Sequence, residues 1–276
     1  MKVRSHSCRR AVPGARLRLS EASGFTMVEI ALSIAVVSFA LVAILGVLPT
    51  GMRVQRDNRE ETIINQDGSF WLEAIRSGSI GMDDLTNYVD QIRVRSQVRQ
   101  VITTNIYTFG ANYRNGRDIV GLLSTPRYTL NRKREWVTNT VFAFCRALSG
   151  MAAEKPDGSR TTNTDFAFTY RLTAELHPFQ ALGYDQTNFT AYKGTEYTSR
   201  SNLFLKAANL SANFQELRLT VDWPVYPVGK DRRVGRNRRV FRTLVSGSIV
   251  VTNAPVETRI TEKLYFVQPS TFVMAQ

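Results

Sequence analysis

The 276-residue chain holds few side chains equipped for chemistry. Of its two histidines, His6 and His177, and two cysteines, Cys8 and Cys145, only His177 and Cys145 lie beyond the amino-terminal stretch, and one Cys with one His cannot supply a zinc site, which takes four ligands, usually Cys or His. Gly229-Lys-Asp-Arg-Arg-Val-Gly235 has neither the spacing nor the order of a phosphate-cradling loop. Asp83-Asp84 could bind Ca2+, and a helix N-terminus explains two acidic residues there equally well. His177, before Pro178 at a strand end, reads as a surface turn residue. This inventory points away from an enzyme, a metal or a cofactor. What stands out instead is a lone carboxylate, Glu29, at the front edge of an apolar run. A second feature is a basic segment, Lys230-Asp-Arg-Arg-Val-Gly-Arg-Asn-Arg-Arg239.

The element that positions Glu29 is the run behind it. From Ile30 to Leu48 no residue is charged, and only Ser33, Ser38 and Gly46 interrupt Ile, Leu, Val, Phe and Ala. A bilayer core takes about 20 such residues in a helix, and a helix apolar all round is buried in lipid or in a core. A secretory signal has an apolar stretch of only about 7–15 residues and a small-x-small cleavage site. Gly46-Val-Leu-Pro-Thr50 offers no such site. A plain single-pass anchor accounts for the length but not for Glu29, unless that carboxylate simply lies among headgroups.

Gly24-Phe-Thr-Met-Val-Glu29 followed by an apolar helix resembles the amino-terminal signal of type IV pilins and the pseudopilins of type II secretion. The resemblance covers about the first quarter of the chain. It implies that a prepilin peptidase cuts between Gly24 and Phe25, that Phe25 is then N-methylated, and that Glu29 serves filament assembly. The implied partners are that peptidase, other pilin-like subunits and an inner-membrane assembly platform.

The leader carries Lys2, Arg4, Arg9, Arg10, Arg16 and Arg18 against Glu21, a net of +5. Taking that from the total of +13 leaves +8 for residues 25–276. Basic residues beside a membrane helix stay cytoplasmic, and beyond the run Arg53, Arg56 and Arg59 are matched by Asp57, Glu60 and Glu61. The expected layout is a cytoplasmic basic leader over 1–24, a helix over 25–77 that spans the inner membrane at about 30–48, and an exported domain over 78–276. Cys145 is then the only cysteine of the processed chain, so no internal disulfide forms. In Val-Phe-Ala-Phe-Cys145-Arg it reads as a buried thiol.

Pro49 and Gly51 predict a kink or loosening where the span ends. Helical spacing resumes at Ile63, Asp67, Phe70 and Ala74, with Ile64, Trp71 and Ile75 beside them, and Ser77-Gly78 reads as the stop. Such a spine would be roughly 80 Å long at about 1.5 Å per residue. Gly78 to Pro126 gives mixed signals: Ile92, Val94, Val98 and Ile102 fit strand or loop, and Ile119 to Leu123 fits a short helix or strand. Beyond residue 136 alternation predicts strands at Phe166–Leu176, Leu217–Trp223, Phe241–Val251, Val141–Leu148 and Leu264–Val267. Lys155–Gly158, Gly183–Asn202 and Pro224–Arg239 read as turns between them. The class is α+β, a long amino-terminal helix packed on an antiparallel sheet.

Gly121-Leu-Leu-Ser-Thr-Pro126, Arg146-Ala-Leu-Ser-Gly150 and Leu217-Arg-Leu-Thr-Val-Asp-Trp-Pro224 are similar to segments of the Verru_Chthon cassette protein B group, pilin-like proteins encoded in multi-gene cassettes. That resemblance implies further pilin-like partners.

The basic segment leaves two readings open. Lys230, Arg232, Arg233, Arg236, Arg238 and Arg239 form either a solvated connection between strands or an anion site for DNA, acidic polysaccharide or an acidic subunit. Two functions follow: a structural subunit assembled through Glu29, or an anchored binding protein that touches polyanions through basic loops.

Overall fold

The computed structural model describes residues 24–78, 82–131, 133–149, 168–179, 193–228 and 231–274. The leader before Gly24, Phe166 and Ala167 of one expected strand, the turn at 155–158 and Lys230 lie outside them. The chain forms two compact units that divide between Gln55 and Arg56.

The boundary falls inside helix α1 (Met27–Arg76). In the first unit every residue from Gly24 to Gln55 is exposed. Among the described residues, α1 alone is long and apolar enough to cross a membrane, and none of its most apolar window is buried. The helix passes through Pro49 and Gly51 instead of breaking there. Proline removes one backbone donor, and the helical bonds around it outweigh that loss.

In the second unit the last part of α1 turns amphipathic. Glu60, Ile63, Ile64, Asp67, Gly68, Trp71, Ala74 and Ile75 are buried, the three-and-four spacing of one helix face. The helix stops where Ser77 N–H donates to Glu73 O (2.9 Å) and Gly78 N–H to Ile75 O (3.3 Å). Gly78 takes φ +58°, and a side chain there would run into the Val267 carbonyl, so glycine is required. A 3-10 turn, Asp83–Asn87, follows, with both acidic residues in its first turn.

The strands are β1 (Val89–Val98), β2 (Val101–Thr108), β3 (Tyr128–Leu130), β4 (Trp136–Arg146), β5 (Thr169–Pro178), β6 (Phe214–Val228) and β7 (Asp231–Ser246). They make a seven-stranded sheet in the order β2-β1-β4-β5-β6-β7, with β3 beside β4, and every pairing is antiparallel. Strands β8 (Ser248–Asn253) and β9 (Lys263–Gln268) pair separately. Helix α2 (Gly116–Leu123) is capped by Asn115, whose side chain accepts from Asp118 N–H, and it packs on β9. Helix α3 (Thr195–Asn213) precedes β6. This is the expected α+β class.

Register sorts the side chains into two faces. One row runs Val94, Val141, Ala174, Leu219 and Phe241 across β1, β4, β5, β6 and β7. It faces the core, where the ring of Phe241 occupies the space a side chain at Gly68 of α1 would need. The next row, Arg93, Phe142, Thr173, Thr220 and Val240, points the other way.

Three expectations are corrected. Pro224–Arg239 is not a turn: β6 runs to Val228 and β7 starts at Asp231. An edge strand pairs on one side only, so its charged side chains keep solvent, and Pro224 sits at the register shift between Trp223 and Val225. Gly183–Asn202 is not all turn, because α3 begins at Thr195 with an Arg200–Glu196 pair one turn apart. Phe241–Val251 is two strands, split by Gly247 at φ +117°. The helix assignment runs on through Pro49. The mixed region resolves into the β1–β2 hairpin and α2.

Candidate functional site

The site begins at the start of α1, in the first unit. Thr26 N–H and Thr26 Oγ1–H both reach Glu29 Oε2 at 3.1 Å, and Glu29 N–H donates back to Thr26 Oγ1 at 3.3 Å. This is a capping box, with Thr as N-cap and Glu three residues on. It fixes where the helix begins, at Met27, two residues after Phe25 and one after Thr26. Ser33 Oγ–H donates to Glu29 O at 2.7 Å, one turn along. Among the described residues no cation pairs with the Glu29 carboxylate. Phe25 is 81% exposed. Among the described residues nothing lies within 4 Å of where a side chain at Gly24 would point, so no crowding there requires glycine.

The basic segment lies in the second unit on β7, and much of its charge is already answered. Arg232 pairs with Asp90 (3.3 Å) and lies over the Phe144 ring at 4.8 Å, with Arg93 over the same ring at 5.2 Å. Arg238 pairs with Asp222 at 2.6 Å, and Asp222 also holds Arg171 at 2.7 Å. Arg239 pairs with Glu61 of α1. Arg233 and Arg236 have no carboxylate partner among the described residues. Arg232, Arg238 and Arg239 are therefore members of separate ion pairs along an edge strand, while Lys230 lies outside the described residues.

Among the described residues no catalytic constellation gathers around the remaining candidates. His177 Nε2 lies 3.6 Å from Glu175 and the ring meets Tyr128 edge-on. Cys145 is buried, and burial pushes its thiol well above the usual value, which keeps it protonated and inert. Among the described residues no three His, Cys, Asp or Glu side chains group to hold a metal. Asp83 is bound instead to the backbone, its Oδ1 accepting from Gly116 N–H at 3.1 Å.

Sequence reasoning missed a buried polar network that ties α1 to the sheet. Asp67, 1% exposed, accepts from Leu148 N–H (2.8 Å) and Ser149 Oγ–H (2.7 Å), and from the Tyr170 hydroxyl. Tyr170 in turn accepts from Trp71 Nε1–H at 2.8 Å. Burial raises the Asp67 carboxyl above its ordinary value and these donors pull it back down. The available signal was an aspartate in the middle of the apolar spacing of α1.

No family model, curated protein or solved structure matches the chain. The reading therefore rests on this molecule's own geometry and on the resemblance of its first segment.

Proposed function

We propose that the chain is a pilin-like structural subunit, a pseudopilin or minor pilin. A prepilin-type peptidase cuts it between Gly24 and Phe25, and it assembles through Glu29 into a filament of type II secretion or type IV pilus kind. Before assembly it is a single-pass protein of the inner membrane, amino terminus inside and domain exported. It has no catalytic role, and its partners are the peptidase, other pilin-like subunits and an assembly platform.

The observation that carries this reading is the Thr26–Glu29 box at the mouth of an apolar helical stretch that is exposed from residue 27 to 55. Capping accounts for Glu29 in a plain anchor too; the glycine and aromatic residue directly ahead of it, Gly24 and Phe25, are what a plain anchor does not need. Lipid or neighbouring helices around that helix would make an ionised group costly, by several kcal/mol unless it is paired. Cleavage after Gly24 supplies the cation, the ammonium of Phe25, which stays charged after methylation. Phe25 and Glu29 of one chain are about a turn apart, and in a filament the terminus of an incoming subunit meets the carboxylate of one already placed. The uncut chain has no such ammonium, which couples processing to assembly. Hydrophobic packing then supplies most of the stability and the charge pair sets the axial register.

The test is Glu29→Val. The variant inserts, since its helix is more apolar, but fails to co-fractionate with sheared filaments or cross-linked pilin-like partners. Recovery equal to wild type would make Glu29 an interfacial residue only. The alternative, a polyanion-binding protein acting through the basic segment, loses support from the pairing of Arg232, Arg238 and Arg239 within the domain.

A further inference from the structure

The second unit's sheet buries one face and leaves the other open. On the open face Arg95 (β1), Arg218 (β6) and Arg242 (β7) share one row, continued by Thr140 and Glu175 between them. Arg127 bridges Thr140 (2.9 Å) and Glu175 (2.6 Å) in that same row. Arg95 and Arg242 are exposed and have no carboxylate partner among the described residues. Arg218 reaches Glu216 only at 3.5 Å, and its Nε has no hydrogen-bond partner. The row carries four arginines against one glutamate, so it is strongly cationic.

Apolar side chains flank it on the same face. Trp136, 67% exposed, pairs across strands with exposed Leu130, and Tyr128 stands two residues before Leu130. Ile102 and Ile106 of β2 are exposed on the same face, and Leu244 stands on β7 at the opposite edge of the sheet. Single exposed apolar residues are ordinary, but Trp136 beside Leu130 and Tyr128 sets large apolar side chains together in one place.

We propose that this open face docks on an anionic lipid surface, with Trp136, Tyr128, Leu130 and Ile102 entering the headgroup layer and Arg95, Arg218 and Arg242 meeting lipid phosphates. Two chemistries must be met at once. A nucleic-acid duplex or a sulfated polysaccharide answers the arginines and leaves the apolar flank in water. A lipid surface supplies anionic headgroups with hydrocarbon directly beneath, the layer where Trp and Tyr concentrate. Charge complementarity is met by acidic lipids, which attract basic surfaces within about a Debye length. Among the described residues the first unit holds a helix long and apolar enough to cross a membrane. This inference rests on the membrane-span part of the reading above and not on filament assembly.

The experiment uses the full chain in nanodiscs of phosphatidylcholine, with or without phosphatidylglycerol, built from plain or acyl-brominated lipid. Of the three tryptophans, Trp71 and Trp223 are buried in the domain, so subtracting a Trp136→Phe chain isolates the exposed one. The expected result is strong quenching of Trp136 in brominated anionic discs and several-fold weaker quenching in neutral ones. Arg95→Gln with Arg242→Gln, which breaks no ion pair, should reduce the anionic quench to the neutral level while Trp71 and Trp223 emission is unchanged. Trp136 emission that is the same in brominated and plain discs overturns the proposal. So does quenching indifferent to lipid charge. Heparin binding in neutral discs that depends on Arg95 and Arg242, without quenching in anionic discs, reassigns the face to a soluble polyanion. Failure of the chain to enter discs at all contradicts the membrane-span reading itself, an outcome distinct from these.

Discussion

Thr26 and Glu29 hold each other through three hydrogen bonds, so neither can be changed without loosening the first turn of α1. Thr26→Val removes the hydroxyl that both donates to Glu29 and accepts its N–H. The expected loss is about 0.5–2 kcal/mol of helix-start stability, read as faster amide exchange at residues 27–29 in nanodiscs, with Thr26→Ser restoring protection. Asp67 gives a prediction of opposite electrostatic character. Its carboxyl is raised in the folded chain, chiefly by burial, so the folded state holds its proton to a higher pH than the unfolded state does. Stability then falls as pH rises from the ordinary carboxylate range through the raised value, and the loss is complete above it. Melting curves of wild type and Asp67→Asn across that window should show wild type losing ground to the variant as pH rises. A difference that grows in favour of wild type would contradict the assignment.

At the scale of elements, α1 and the sheet meet where the Phe241 ring fills the space left by Gly68. Gly68→Val must displace that ring, and overpacking of this kind costs about 1–3 kcal/mol. The expected outcome is a lower midpoint in denaturant with an unchanged slope. This contact was not legible in the sequence, because it joins residues 68 and 241. Strands β5 and β6 were legible: Tyr170, Leu172, Ala174 and Leu176, and Leu217, Leu219, Val221 and Trp223, are buried at every second position, with Asp222 also buried among the latter. Strand β7 was legible only from residue 241 on, because its first part, carrying Arg232, Arg233, Arg236, Arg238 and Arg239 on an edge strand, has the composition of a loop. Helix α3 was hidden in the same way, since nearly all of it is solvated and it shows no clean apolar stripe. The helix start was legible as chemistry, a glycine, an aromatic and a carboxylate in register. Its hydrogen bonding became visible only in the structure. The arginine row of the open face was illegible, since it draws on β1, β6 and β7 at once.

At the scale of the whole molecule, the formal charge of +13 divides between a leader of +5 and a remainder of +8, and that remainder is partly spent in ion pairs along β7. If Arg233 and Arg236 bound polyanions on their own, affinity for DNA or heparin would fall steeply with salt through counterion release. The expected result is that Arg233→Gln with Arg236→Gln leaves such binding unchanged at low salt. A large loss would return the basic segment to a binding role. The central claim is that the chain is a substrate of a prepilin-type peptidase, cut at the boundary just ahead of the Thr26–Glu29 box. Intact-mass and amino-terminal peptide measurement on protein purified from membranes tests it most directly. The account predicts a mature chain that begins with N-methylated Phe25, and an uncut but inserted precursor when Gly24 is replaced by a bulky residue. A terminus at Met1, or one beyond Leu48, would contradict it.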